Sequence, residues 1–117
     1  MSQNVRIHEL LEYVAQGRIM DAMNEFYADD VLMEEPAYGT TAGLPANLER
    51  EQKFVDSVKE FRNFEVKNLT TSENAAMYEN VMDWIDVNDQ EMHVEQVSVQ
   101  EWKDGKIVHE RFYYAMG

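Results

Sequence analysis

The C-terminal segment 91–117 constrains the fold more than any other part of the chain. It reads EMHVEQVSVQEWKDGKIVHERFYYAMG, two runs of β-branched and aromatic residues on either side of Lys103, Asp104 and Gly105. Such residues favour strands, and a glycine in the left-handed region closes a three-residue hairpin loop with a bulge. The segment therefore predicts an antiparallel β-hairpin, and its register decides which side chains share a face.

The bulged loop predicts a register in which Ser98 lies opposite Glu110 and Gln100 lies opposite Val108. Because side chains alternate across a strand, one face then carries Val94, Gln96, Ser98, Gln100, Trp102, Lys106, Val108, Glu110, Phe112 and Tyr114. The other face carries His93, Glu95, Val97, Val99, Glu101, Ile107, His109, Arg111 and Tyr113. A two-residue Asp-Gly loop would shift the pairing by one residue and mix the faces. Both faces contain apolar and polar residues, which indicates one side covered by helices and one side facing a partner.

Length and charge limit the class of protein. A chain of 117 residues, 44% of them hydrophobic, fits one domain over residues 1–117 with one core. The absence of cysteine excludes disulfides, thiolate nucleophiles and cysteine metal sites. The net charge of −13 disfavours nucleic acid, acidic membrane surfaces and polyanionic substrates as partners. The start, MSQNVRIHEL, lacks the apolar run of a signal peptide and no segment approaches membrane-spanning length, so we expect a cytoplasmic protein.

Periodicity predicts the remaining elements. Apolar residues at helical spacing indicate helices over about 3–16 and 19–26, separated at Gly17. A short strand over 31–35 ends at Pro36, a loop extends to residue 45, and a third helix covers about 46–61. Strands near 64–71 and 75–87 precede the final hairpin. Helices followed by consecutive antiparallel strands are the order of an α+β fold.

Two stretches within this order resemble a known family. GRIMDAMNEFYADDVLMEEP, EWKDGKIVHERFYY and the order ααβαββββ are similar to the SnoaL-like group of the nuclear-transport-factor/ketosteroid-isomerase superfamily, over nearly the whole chain. The resemblance implies a cystatin-like cone, in which a curved antiparallel sheet wraps three helices and leaves an apolar pocket. Members include isomerases, polyketide cyclases, dehydratases, epoxide hydrolases and domains that only bind or dimerise, so the resemblance specifies the fold better than the function.

The family's functional positions carry over only in part. The isomerase general base matches Glu35, whereas the oxyanion-hole acid falls on Ser98 and the oxyanion-hole tyrosine falls near Leu10 or Leu11. The catalytic aspartate of the cyclases falls on Phe112, and the arginine of the epoxide hydrolases' Asp-Arg-Asp set has no counterpart. The resemblance thus implies a retained base without the family's oxyanion hole.

Three carboxylates are the candidates for acid–base catalysis: Glu35, Glu110 and Asp83. Asp83 faces the pocket only if the strand over 75–87 turns Glu79, Val81 and Asp83 inward. Apolar surroundings raise the pKa of a carboxyl, so one of these groups can act as acid while another acts as base on a neutral or cationic substrate. The alternative is that they lie at the rim in water or pair with Arg111 or lysines.

Other residues are predicted to contact the substrate, with Ser98 or Gln96 as the hydrogen-bond donor. The predicted set is Tyr38, Phe54, Val81, Gln96, Ser98, Val108, Phe112 and Tyr114. The three histidines lack metal-site spacing, and no cofactor motif occurs in the sequence. We therefore expect no metal and no cofactor.

Two functions remain open. The first is a cofactor-free acid–base enzyme of the isomerase, cyclase or dehydratase type that acts on a small apolar molecule. The second is a non-catalytic ligand-binding or dimerisation domain. A homodimer through the outer sheet face is predicted, with Arg111 meeting a carboxylate such as Glu95 within or across subunits. The apolar residues on which this prediction rests are Val97, Val99, Ile107 and Tyr113, which lie beside charged residues. A cavity that reaches Glu35 would favour the enzyme.

Overall fold

The computed structural model describes the backbone of residues 3–115 and the side chains of residues 5–115. Its elements are α1 (Gln3–Ala15), α2 (Ile19–Phe26), β1 (Tyr27–Glu35), β2 (Gly39–Ala42), α3 (Leu44–Asp56), β3 (Val58–Thr71), β4 (Ala75–Asp86), β5 (Glu91–Lys103) and β6 (Lys106–Tyr113). The strands form one sheet in the order β2-β1-β6-β5-β4-β3. The α+β class and the cone of three helices against a curved sheet are confirmed.

The sheet is antiparallel except where β1 joins β6. Those two strands run parallel, because the chain passes from β1 through α3 and four further strands before β6 fills the place beside β1. Register shifts at three places between β3 and β4 interrupt the regular ladder. Such irregularities increase local twist and bend, which lets the sheet curve around the helices.

The helices bury apolar stripes against the concave face. In α1, Ile7 and Leu10 are 0% and 2% exposed, and in α2 Phe26 is completely buried. Gly17 has φ +76°, a left-handed conformation that separates the two helices at little cost only for glycine. The predicted first two helices are thus present with nearly their expected bounds.

Three boundaries differ from the prediction. The first strand begins at Tyr27 rather than at residue 31, the predicted loop 36–45 contains the short strand β2, and the third helix ends at Asp56 rather than near Phe61. Ser57 ends α3, because its amide and hydroxyl both donate to the Phe54 carbonyl. Phe61 instead pairs with Trp84 in the sheet. Its apolar spacing suits a helix as well as a bulged strand, so periodicity alone could not separate them.

The final hairpin is closed by two residues, and the predicted three-residue loop is wrong. Asp104 and Gly105 have φ 53° and 76°, and Lys103 pairs directly with Lys106. Positive φ at both central positions is the requirement of a type I′ turn, whose twist matches that of the flanking strands.

A bulge follows the turn. Trp102 pairs with Ile107 but Glu101 pairs with His109, so Val108 is an extra residue in β6. Ile107, which we expected on the outer face, is completely buried on the Trp102 side.

The bulge restores the predicted faces although the predicted pairs are wrong. Gln100 lies opposite Glu110, and Ser98 lies opposite Phe112, each two residues from the expected partner. Beyond the bulge, a shift of two residues keeps each side chain on its predicted side of the sheet, since strand periodicity is two. Gln96, Ser98, Gln100, Glu110 and Phe112 therefore still share one face.

We predict that Gly105→Ala lowers the free energy of unfolding by about 1–2 kcal/mol, because a Cβ is strained at positive φ. Asp104→Asn should change it by less than about 0.5 kcal/mol, since asparagine suits the first position of this turn. Urea denaturation followed by circular dichroism measures both. Equal stability of Gly105→Ala and the wild type would show that the turn is not of this type.

Candidate acid–base site

A cavity of about 90 Å³ lies between the helices and the concave face of the sheet. Most of its wall is aliphatic, aromatic or thioether, and its polar groups are Glu51, Gln96, Glu110 and two tyrosine hydroxyls. The lining residues are Leu10, Val14, Ile19, Ala22, Met23, Tyr27, Met33, Glu51, Phe64, Tyr78, Met82, Gln96, Glu110 and Phe112. An apolar enclosure with a few convergent polar groups is the usual form of a small-molecule site.

The carboxyl of Glu110 forms the centre of a buried polar network, which we call the Glu110 cluster (Tyr27, Ser98, Gln100 and Glu110). Glu110 is 0% exposed. The Tyr27 hydroxyl donates to its Oε1, and Ser98 Oγ and Gln100 Nε2 each donate to its Oε2 at 2.7 Å. Burial raises the pKa of Glu110, although these three hydrogen bonds oppose the shift.

The surrounding residues fix the orientation of this cluster. Trp102 Nε1 donates to Gln100 Oε1 at 3.1 Å, so the Gln100 amide must turn its NH₂ toward Glu110. Burial is also the main cause that raises the pKa of Tyr27 well above its ordinary value, and the Glu110 charge adds to it. Tyr27 therefore stays a neutral donor to Glu110.

Glu51 is the second carboxyl of the cavity, and its hydrogen bonding differs from that of Glu110. It points from α3 into the cavity, and no donor among the described residues hydrogen-bonds to it. Burial raises the pKa of Glu51 to about 7, and the charges of Glu110 and Glu35 add to this while Arg50 opposes it. Glu51 can thus exchange a proton near neutral pH without first breaking a hydrogen bond.

Glu35, the base implied by the family resemblance, does not line the cavity. Its carboxylate accepts from the Tyr38 amide at 2.9 Å and the Tyr114 hydroxyl at 3.1 Å, and Arg50 Nη1 lies 3.7 Å away. These contacts hold the turn after β1 and the end of β6 together. Tyr38 is 67% exposed, and neither Tyr38 nor Tyr114 lines the cavity, so their contacts with a substrate stay predictions.

Asp83 lies away from the cavity. Strand β4 turns Tyr78 and Met82 toward the helices, so by alternation Asp83 and Val81 project from the other face. His93 Nδ1 lies 2.6 Å from the Asp83 carboxylate, and the Asn63 amide donates to it at 3.2 Å. Hydrogen bonds from His93 and Asn63 lower the pKa of Asp83, which keeps it ionised.

Two other predicted contacts are also displaced from the cavity. Phe54 packs edge-on against Trp84, with ring centroids 5.2 Å apart, because α3 turns this residue toward the end of the sheet. Val108 is the extra residue of the β6 bulge and does not line the cavity. Of the predicted site residues, the fold therefore brings together Gln96, Ser98, Glu110 and Phe112, whose roles stay predictions.

Sequence analysis missed Glu51, Tyr27 and the hydrogen bond from Gln100. A signal for Glu51 did exist: Leu44, Leu48, Glu51 and Val55 recur at helical spacing, which puts the glutamate on the apolar stripe of α3. A charged residue within such a stripe is a reason to expect a functional carboxyl.

Comparison with known proteins agrees with the fold described above. Residues 2–114 match the model of the SnoaL-like domain. A provisionally named SnoaL-like polyketide cyclase from Mesorhizobium loti superposes with a TM-score of 0.84 at 21% identity, covering 97% of this chain and 100% of that one. A protein of unknown function with a cystatin-like fold from Xanthomonas campestris gives 0.84 at 16% identity, covering 99% and 92%. A provisionally named isomerase from Bacillus subtilis gives 0.78 at 17% identity, covering 93% and 83%.

The structural similarities define the fold of this protein, and the sequence match defines its family. The three structures, all below 25% identity, share the cystatin-like cone with this protein and show the fold alone. The sequence match covers nearly the whole chain, so the chain belongs to the SnoaL-like family. No functionally curated protein matches it.

Two further features concern the described residues only. No three His, Asp or Glu side chains within residues 5–115 lie together in a way that holds a metal ion. No helix in the described part of the chain is long and apolar enough to cross a membrane.

We predict that Glu51→Gln stabilises the protein above neutral pH. Because the pKa of Glu51 is raised from 4.5 to about 7 in the folded state, the wild type loses stability as pH rises through this window. The variant cannot titrate, so its free energy of unfolding should exceed that of the wild type by roughly 1–3 kcal/mol at pH 8, and by little at pH 4. Urea denaturation at both pH values measures the difference.

The control for this prediction is Glu49→Gln, an exposed glutamate on the same helix. It should show no pH-dependent gain. A Glu51→Gln variant that is less stable than the wild type at pH 8 would mean that the Glu51 carboxylate is not desolvated.

Proposed function

We propose that this protein is a cofactor-free acid–base catalyst on a small molecule, with Glu51 as the group that removes and returns a proton. One observation carries the proposal: Glu51 has an apolar cavity around it, no hydrogen-bond donor to its carboxyl among the described residues, and a pKa of about 7. A general base is most effective when its pKa lies near the working pH. Weak solvation also makes a carboxylate a stronger base toward a carbon acid.

The Glu110 cluster supports this role as a rigid wall beside the base. Its buried carboxyl and neutral tyrosine keep their hydrogen bonds to each other, so they hold the shape of the cavity during proton transfer. Removal of a proton from one carbon and its return to another is an isomerisation. The names of two structural neighbours, a cyclase and an isomerase, are compatible with such chemistry.

Cavity volume limits the substrate. At roughly 30 Å³ for each water molecule, 90 Å³ holds the volume of about three waters, which corresponds to about four non-hydrogen atoms because bonded atoms lie closer together. This volume is far below that of pockets for drug-sized ligands, which is on the order of 300–1,000 Å³. The substrate class that fits is therefore a small carbon acid rather than a polycyclic molecule.

Deuterium uptake tests the proposal without knowledge of the natural substrate. Small carbonyl compounds and imines of about four or five non-hydrogen atoms are incubated with the protein in D₂O, and loss of C–H signal is followed by ¹H NMR. Glu51→Gln should reduce the rate of catalysed exchange by roughly 10²–10⁴-fold. The rate should rise with pH and level off above pH 7, as Glu51 loses its proton.

Glu35→Gln is the matched variant in this experiment. Because Glu35 is held by Tyr38, Tyr114 and Arg50 outside the cavity, exchange should continue at close to the wild-type rate. Loss of exchange in Glu35→Gln with retention in Glu51→Gln would reverse the assignment of the base. Absence of exchange for the whole series would favour a binding domain instead.

The second candidate function, assembly through the sheet, has its own supporting observation. On the outer face Met77 pairs with Val99 and Val97 pairs with Tyr113, and Met77 and Tyr113 are 44% and 54% exposed. We propose that a second copy of this chain covers this patch. Arg111 meets a carboxylate within the chain, that of Glu101 at 3.2 Å.

We predict that Val99→Glu yields a monomer, because it places a charge at the centre of the proposed interface. Light scattering at micromolar concentration should give twice the chain mass for the wild type and the chain mass for the variant. Val5→Glu introduces the same charge at an exposed site on α1 and should remain dimeric. A monomeric wild type would contradict the proposal.

A further inference from the structure

Three hydrogen-bond donors near the cavity are already occupied. The Tyr27 hydroxyl, Ser98 Oγ and Gln100 Nε2 all donate to Glu110. A carbonyl or an anionic oxygen that entered the cavity would find the Tyr78 hydroxyl in the wall, and would have to take any further donor from a buried carboxyl. Leaving that carboxyl unsatisfied costs more than one ordinary hydrogen bond contributes.

Acceptors, in contrast, are free. The Glu51 carboxyl accepts no hydrogen bond from the described residues. Gln96 donates its NH₂ to Asn80 Oδ1 at 3.1 Å, which leaves its own carbonyl oxygen without a donor in the same part of the chain. Among the described residues, Asn80 Nδ2 and Arg50 Nε are buried donors without a partner, but neither residue lines the cavity. A complementary ligand is therefore one that donates hydrogen bonds.

The rest of the wall is suited to positive charge. Tyr27, Phe64, Tyr78 and Phe112 place four aromatic rings around the cavity, from four different strands. The negative faces of aromatic rings attract cations, and several rings around one site are the known arrangement for ammonium groups.

The charges near the cavity also favour a cationic ligand. Glu51 and Glu110 both line it, and the nearest cation, Arg50, lies 3.7 Å from Glu35 and donates to Asn47. An anionic ligand would meet two carboxyls with no free cation among the described wall residues. An entering cation would instead stabilise the Glu51 carboxylate.

We propose that the cavity binds a small organic cation, an ammonium or iminium of about four non-hydrogen atoms. The inference rests on the proposed function in that it uses the same cavity and the same Glu51. Its nitrogen would donate to Glu51 and to the Gln96 carbonyl, and its carbons would contact the four rings.

A cationic substrate also explains how proton removal proceeds without an oxyanion hole. The Glu51 carboxylate takes a proton from the carbon next to an iminium carbon. The C–H electron pair becomes the new C=C bond, and the C=N π pair moves onto nitrogen. The products are a neutral enamine and a protonated Glu51, so charge is neutralised and no oxyanion forms that would need donors.

Three ligands of one carbon skeleton test the proposal: propylammonium, 1-propanol and propionate. The methyl groups of Met23, Met33 and Met82 line the cavity, so ¹³C-methyl methionine NMR reports binding there. We expect propylammonium to bind at least tenfold more tightly than propanol, and propionate to cause no shift. Propanol binding as tightly as propylammonium would overturn the inference, even if Glu51-dependent exchange of neutral carbon acids left the proposed function standing.

Variants then locate the charge that is recognised. Glu51→Gln should weaken propylammonium at least tenfold and leave propanol unchanged, whereas Glu49→Gln should change neither. Gln96→Met, which removes the carbonyl acceptor at similar size, should weaken propylammonium by a smaller factor. Unchanged ammonium binding in Glu51→Gln would refute the assignment.

The pH dependence gives a check that needs no variant. Arg50, Glu35, Glu110 and Tyr27 are the charged or titratable groups that face Glu51, from α3, β1 and β6. Propylammonium affinity should rise between pH 6 and pH 8, while propanol affinity stays constant. An ammonium affinity that is flat over this range would contradict the role of Glu51.

Discussion

The rest of the site depends on one interaction, the burial of the Glu110 carboxyl within the sheet. A carboxyl without solvent must find several donors, because a lone buried polar group costs on the order of 1–3 kcal/mol or more. Tyr27 from β1 and Ser98 and Gln100 from β5 provide them. Glu110 lies on β6, between these two strands. The network therefore fixes how the parallel β1–β6 pair and the antiparallel β5–β6 pair meet, and with them the base of the cavity.

This network also decides which carboxyl is available for chemistry. Glu110 has donors on both oxygens, so proton exchange there must disrupt buried hydrogen bonds. Glu51 has none among the described residues, and the same apolar surroundings act on it without compensation. Two carboxyls in one cavity thus differ through their partners. Glu35, the base implied by the family resemblance, lies outside the cavity, and its contacts belong to a turn.

The parts of the structure that could be predicted from the sequence are those with a strong local signal. The hairpin 91–115 was recognisable because β-branched and aromatic residues flank a turn, and the shared face of Ser98 and Glu110 survived a wrong loop, since the turn and the bulge together shift the register by two residues. The end of α3 was not recognisable, because Phe61 fits both a helical stripe and a bulged strand. Glu51 was missed because a carboxyl on an apolar stripe shows its role only when the opposing strands are in place.

Side chains rather than the fold set the chemistry that the cone permits. The rings of Tyr27, Phe64, Tyr78 and Phe112 fill space that the curved sheet encloses, and they leave about 90 Å³. The family resemblance implies that Phe112 takes the position of the cyclase acid, and its ring forms part of the cavity wall. Removing an acid and adding a ring lowers the capacity to stabilise an anion and raises the capacity to stabilise a cation. Three of the donors that an enolate would require are committed to Glu110, and a base with free lone pairs remains beside the rings. An acid–base site built in this way favours reactions that convert a cationic substrate into a neutral product.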